Sequence, residues 1–137
     1  MSDLGTKAKI CIIGHSVIQN ELLVQHIETT TKYSCVAYRE INQISAEEIK
    51  KYKTLILIDN KNDNWNKVWP VLKHFVGLPD VECFIALFNV QQTNGFEDDI
   101  SKYNIRAIFY EHHSSDLLVK GIKSIMKEDL WFSRELI

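Results

Sequence analysis

Four consecutive residues near the C-terminus, Trp131-Phe132-Ser133-Arg134, combine side chains that can hold a nucleotide. On a helix, side chains three apart are neighbours, so Trp131 and Arg134 share one face. An indole stacks on a base for about 1–3 kcal/mol. A guanidinium donates two hydrogen bonds to guanine O6 and N7, for about 1–3 kcal/mol more. Ser133 adds a hydroxyl donor for a phosphate oxygen. Phe132 and Leu136, four apart, form the stripe that docks such a helix onto its domain. The same residues also have ordinary uses, since a tryptophan at a domain edge packs and an arginine is solvated. Composition alone leaves both uses open.

A second group centres on Asp59, which ends the apolar run Thr54–Asp59. His15, His112, His113 and Glu111 fall where they can meet it, and these residue types suit a transition metal. Histidines in loops serve equally well without ligand duty, so no metal is expected. His15-Ser16 lacks a placed acid, and no glycine-rich phosphate loop or GxSxG elbow occurs. Catalytic residues are therefore not expected, and the chain does not read as an enzyme.

The elements that position these groups are legible as five short apolar runs: Lys9–Gly14, Ser34–Tyr38, Thr54–Asp59, Glu82–Phe88 and Arg106–Tyr110. The first, third and fourth are almost continuously apolar, as strands covered on both faces must be. Helical patterns separate them, which predicts a parallel sheet. Ser16 with Gln19, and Ser45 with Glu48, have capping-box spacing and predict helices starting near Val17 and Ala46. Trp65, Val68, Trp69, Leu72, Phe75 and Val76 form a helical stripe, with both tryptophans expected in the core. Pro70 inside the stripe predicts a late start or a kink. Gln91–Asn104 reads as a short, weakly anchored helix. Leu118, Ile122, Ile125 and Met126 mark another, capped by Ser114 or Ser115. A last short helix is expected near Leu130–Ile137, with Asp129 as its N-cap. The expected architecture is α/β: a doubly wound (βα)5 flavodoxin-like sandwich, strand order 2-1-3-4-5, with an extra C-terminal sixth helix.

At 137 residues the chain makes one domain, with a core at 8–127 and the start of an extra helix at 129–137. Its net charge of −2 argues against a dedicated nucleic-acid surface. Cys11, Cys35 and Cys83 sit in apolar runs without metal spacing and read as buried thiols. Met1–Gly5 lacks the layout of a signal peptide, and no apolar run approaches the ~20 residues of a membrane span. A cytoplasmic setting without membrane contact is the expectation.

On Asp59 the chain resembles the receiver domain of two-component response regulators over residues ~8–127. That resemblance implies a phospho-accepting aspartate at Asp59, an acidic pair ending strand one, Thr or Ser ending strand four and Lys ending strand five. Here those places hold Gly14-His15-Ser16, Asn89 and Glu111. Mg2+ takes oxygen ligands that usually include carboxylates, and strand one offers none. Two like charges ~4 Å apart repel by about 4 kcal/mol at an effective dielectric near 20, so phosphate beside Glu111 is disfavoured. Asp59 is expected to be vestigial, bonding the loop around Asn60 and Asn62.

The runs Ile108-Phe109-Tyr110, Leu118–Ile122 and Glu128–Arg134 resemble biofilm-matrix transcription regulators of the VpsT/CsgD type. These join a degenerate receiver, extended by a sixth helix, to a LuxR-type helix-turn-helix. The VpsT-like branch carries W-[FLM]-[ST]-R and binds cyclic di-GMP there; Trp131, Phe132, Ser133 and Arg134 match all four positions. The resemblance implies cyclic di-GMP as ligand, with no other cofactor, and DNA as partner only through a helix-turn-helix domain absent from this chain. One Trp and one Arg supply roughly 2–6 kcal/mol, whereas micromolar binding needs about 8 kcal/mol. A homodimer contributing two copies of the motif to a two-fold ligand closes that gap. Two alternatives stand beside this expectation: a ligand-independent receiver-like dimerisation or protein-interaction domain, and a phosphorylatable response regulator.

Overall fold

The computed structural model describes residues 7–61, 64–76, 78, 80–91 and 105–127. The expected helices at Gln91–Asn104 and Leu130–Ile137, and the motif Trp131–Arg134, lie outside the described residues apart from Gln91. Five strands are present: β1 Lys7–Ile13, β2 Ser34–Tyr38, β3 Tyr52–Asp59, β4 Cys83–Val90 and β5 Ile105–Tyr110. All pair in parallel, in the order β2-β1-β3-β4-β5. The described helices are α1 Val17–Thr30, α2 Ala46–Lys51, α3 Trp65–Val76 and α4 Ser115–Met126.

The continuous apolar runs are explained by a core on each face. Successive strand residues point to opposite sides, so Ile56 and Ile58 of β3 join one cluster while Leu55 and Leu57 join the other. The first cluster packs under α2 and α3 through Ile49, Trp65, Val68 and Leu72. The second packs under α1 and α4 through Ile27, Leu118, Ile122 and Ile125. Trp65 is buried, as expected of a core residue, whereas Trp69 is only partly buried and packs against the edge of that cluster. The three cysteines are buried and free. No described helix is long and apolar enough to cross a membrane.

The helix starts follow the serines. Ser16, Ser45 and Ser114 each accept the backbone N–H three residues on, from Gln19, Glu48 and Leu117. The capping boxes are only half made, however. Gln19 and Glu48 do not bond back to their caps; their side chains are drawn into long-range contacts instead. Glu48 receives the Lys9 ammonium and the Tyr38 hydroxyl. The Pro70 expectation also needs correction as to the start, because α3 begins at Trp65, well before the proline. The stripe packed on the sheet outweighs one lost backbone hydrogen bond.

Candidate functional site at the carboxyl edge of the sheet

Four of the sequence-selected positions arrive at one edge because parallel strands all finish there. β3 ends in Asp59, β1 runs into Gly14-His15-Ser16, β4 carries Asn89 next to its last residue, and Glu111 follows β5. β4 therefore ends at Val90, one residue beyond the expected Asn89.

Asp59 is 5% exposed. Its Oδ2 accepts from Gln19 Nε2 at 2.8 Å. Its Oδ1 accepts from Asn89 Nδ2 at 3.1 Å and from the Lys61 backbone N–H at 2.9 Å. The same Asn89 amide lies 3.3 Å from Gln19 Oε1. Every one of these donors is neutral, and among the described residues the carboxylate has no cationic partner. The turn beyond is fixed by two more amides: Asn64 Nδ2 donates to the Asp59 carbonyl at 3.2 Å, and Asn60 Oδ1 accepts from Trp65 N at 2.9 Å. The loop role expected of Asp59 is thus seen at Lys61, while Asn62 lies outside the described residues.

Asn89 reaches Asp59 through an unusual backbone. Its φ is 57°, and the β4–β5 register slips between Leu87 and Val90. A bulge of this kind re-aims a side chain, and asparagine is among the few residues other than glycine that enter the left-handed region readily.

Gly14 occupies the place where the resemblance would put an acid. A Cβ there would stand 2.8 Å from Asn20 Oδ1 and 3.4 Å from Asp59 Cβ. Asn20, 5% exposed, donates from Nδ2 to the Gly14 carbonyl at 2.8 Å. A side chain at position 14 therefore requires Asn20 to move.

The remaining candidates separate. His15 faces Glu40, Nε2 to Oε2 3.4 Å, with both groups exposed. His112 stacks on Tyr110 at 5.8 Å between centroids. His113 Nδ1 accepts from the Tyr110 backbone N–H at 3.0 Å, which makes that nitrogen the unprotonated one. Glu111 is exposed and accepts from Gln91 Nε2 at 3.5 Å. Among the described residues no three His, Cys, Asp or Glu side chains are grouped to hold a metal. Gln19, Asn20 and Asn64 were not singled out by the sequence as site residues. Gln19 had a signal, its cap spacing, but that spacing named the wrong partner.

No protein-family model matches the sequence, and no curated protein sequence matches it. Solved structures do. The chain is similar to the regulatory domain of the master biofilm regulator CsgD, with TM-score 0.71 and 17% identity over 94% of each chain. It is similar to the isolated REC domain of RcsB from Salmonella enterica serovar Typhimurium in the apo form, with TM-score 0.71 and 12% identity over 93% of this chain and 94% of that one. A response regulator from Thermotoga maritima gives TM-score 0.64 and 12% identity, over 88% of this chain and 98% of that one. With five parallel strands in the order 2-1-3-4-5 and these likenesses, the chain has the fold of a response-regulator receiver domain.

Proposed function

We propose that this chain is the signal-sensing domain of a LuxR-type biofilm transcription regulator, working in the cytoplasm as a binding module without enzymatic activity or regulated phosphorylation. Its ligand is cyclic di-GMP, held by Trp131, Phe132, Ser133 and Arg134. Binding promotes a homodimer that sets the spacing of DNA-binding domains carried on a longer parent protein.

The observation that carries the phosphorylation-independent half is the occupied state of Asp59. Both carboxylate oxygens are tied to neutral N–H groups from Gln19, Asn89 and Lys61. A phosphoryl acceptor needs a free oxygen and a Mg2+ beside it, held by carboxylates. Here the residue after β1 is Gly14, with Asn20 Oδ1 pressed against its Cβ position. The nucleotide half is supported by the four-residue match in the sequence and by the likeness in fold to a biofilm regulator's regulatory domain.

Sedimentation with and without cyclic di-GMP tests this reading, alongside calorimetry on the wild type and on Trp131→Ala and Arg134→Ala. A ligand-dependent dimer that either substitution abolishes is expected. Absence of heat in the wild type would sink the nucleotide reading. The ligand-independent interaction domain keeps one observation in its favour: Ile18 and Leu22 on α1 are 73% and 62% exposed, and adjacent exposed apolar residues mark contact surfaces. A dimer that forms without nucleotide and is lost in Ile18→Asp would favour it.

A further inference from the structure

At the sheet edge opposite Asp59, the last turns of α1 and α4 border a cleft of about 370 Å³. Three lysines line it, Lys32, Lys123 and Lys127, together with Tyr33 and the run Thr29-Thr30-Thr31. Lysines at helix C-termini ordinarily complement the terminal carbonyls and the negative end of the helix dipole. On α4 other groups fill that role, and on α1 the threonines turn inward. The hydroxyls of Thr29, Thr30 and Thr31 fold back onto the carbonyls of Gln25, His26 and Ile27 at 2.9, 2.6 and 2.7 Å, one turn before the helix end. On α4, the Lys127 backbone N–H bonds the Ser124 and Ile125 carbonyls, and the Lys53 ammonium bonds the Met126 carbonyl at 2.9 Å.

The three cleft lysines are exposed. Among the described residues none of them pairs with a carboxylate. Charges of one sign gathered at a cleft raise the local concentration of an anion. We infer that this cleft binds a phosphorylated small molecule of roughly mononucleotide size. The lysines hold the phosphate, which takes point-charge donors well. The cleft volume falls within the range of small-molecule sites, ~300–1,000 Å³. Tyr33 offers a ring to the organic body. The threonine hydrogens are already committed to carbonyls, so their oxygens present lone pairs and accept N–H or O–H groups of the ligand. A net charge of −2 and a concave cleft select a small ligand over a duplex, which needs an extended basic face. The inference rests on described residues and does not depend on the cyclic di-GMP reading.

The test titrates the full chain with ADP, pyrophosphate and adenosine in phosphate-free, low-salt buffer, followed by calorimetry and amide chemical shifts. ADP is expected to bind, to shift amides in 29–33 and 123–127, and to weaken as salt is added. Adenosine is expected not to bind, and pyrophosphate to bind more weakly than ADP. Replacing Lys32, Lys123 and Lys127 by Ala weakens ADP binding by about tenfold or more, while Trp131→Ala with Arg134→Ala leaves it unchanged. The side chains are solvent-facing, so the triple variant is expected to melt with the wild type; if it does not, the three single substitutions carry the test. No shifts at millimolar ADP, shifts confined to other residues, or undiminished binding in the lysine variants would overturn the assignment. Adenosine binding as tightly as ADP would overturn the role of phosphate.

Discussion

Asn89 holds Asp59 from the adjacent strand, its amide donating to Oδ1 at 3.1 Å from a backbone at φ 57°. The left-handed conformation costs roughly 1 kcal/mol for a residue with a Cβ. A hydrogen bond to a charged group returns about 1.5–3 kcal/mol. The bulge in β4 and the state of Asp59 are therefore one arrangement.

Two substitutions separate these contributions. Asn89→Gly removes the amide and relieves the backbone, whereas Asn89→Ala removes the amide and keeps the cost. Both are expected to be less stable than wild type, with Ala below Gly by about 1 kcal/mol. Urea unfolding measures the difference, and an Asn89→Ala protein as stable as wild type would show that the clamp contributes nothing.

Asp59 is expected to stay unmodified when the protein is incubated with acetyl phosphate and Mg2+. Intact mass provides the readout. A phosphoryl adduct that disappears in Asp59→Asn would restore the phosphorylatable reading.

Gly14→Ala places a methyl group 2.8 Å from Asn20 Oδ1. Overpacking of a filled site costs about 1–3 kcal/mol. Shortening the obstacle in Asn20→Ala is expected to make the Gly14 change cheaper, giving a favourable coupling in a double-mutant cycle. Additive effects would mean that the two positions do not touch.

Burial raises the thiols of Cys11, Cys35 and Cys83 to about 12. The unfolded chain ionises its thiols first, from about pH 8.5 upward. Above that pH the unfolded state binds fewer protons than the folded one, so stability falls as pH rises, until the folded thiols ionise near 12. Stability is expected to be level below pH ~8.5 and to decline beyond it. In the native protein the three thiols are expected to resist a disulfide reagent at neutral pH and to react on denaturation.

Burial first, and then the Glu48 carboxylate, pushes the Tyr38 phenol up to about 12. Glu48→Gln is expected to bring it partway back toward the ordinary phenol range, read as an earlier rise in tyrosinate absorbance. The same substitution removes the acceptor of the Lys9 ammonium, whose pKa is raised overall by that partner against the opposing effect of burial. The stability this pair contributes is present below the ordinary lysine pKa and is lost as pH rises through the folded value.

Much of this arrangement was legible in the residues alone. The runs Lys9–Gly14 and Thr54–Asp59 had to be strands covered on both faces, and Ser16, Ser45 and one of Ser114 and Ser115 had to start helices, because both signals act over a few neighbouring bonds. Parallel pairing then places Asp59, Asn89 and Glu111 at a shared edge. The partners of individual side chains were not legible. Gln19 and Glu48 sit at cap spacing, yet each finds a better partner about forty residues away, Gln19 at Asp59 and Glu48 at Lys9. Asn89 turns its amide inward through a bulge that no local pattern announces. The lysine cleft joins Lys32 to Lys123 and Lys127 across ninety residues of chain. Propensity and periodicity are properties of neighbours in sequence and decide the elements; which polar atoms meet is decided by packing, once burial has removed water as the competing partner.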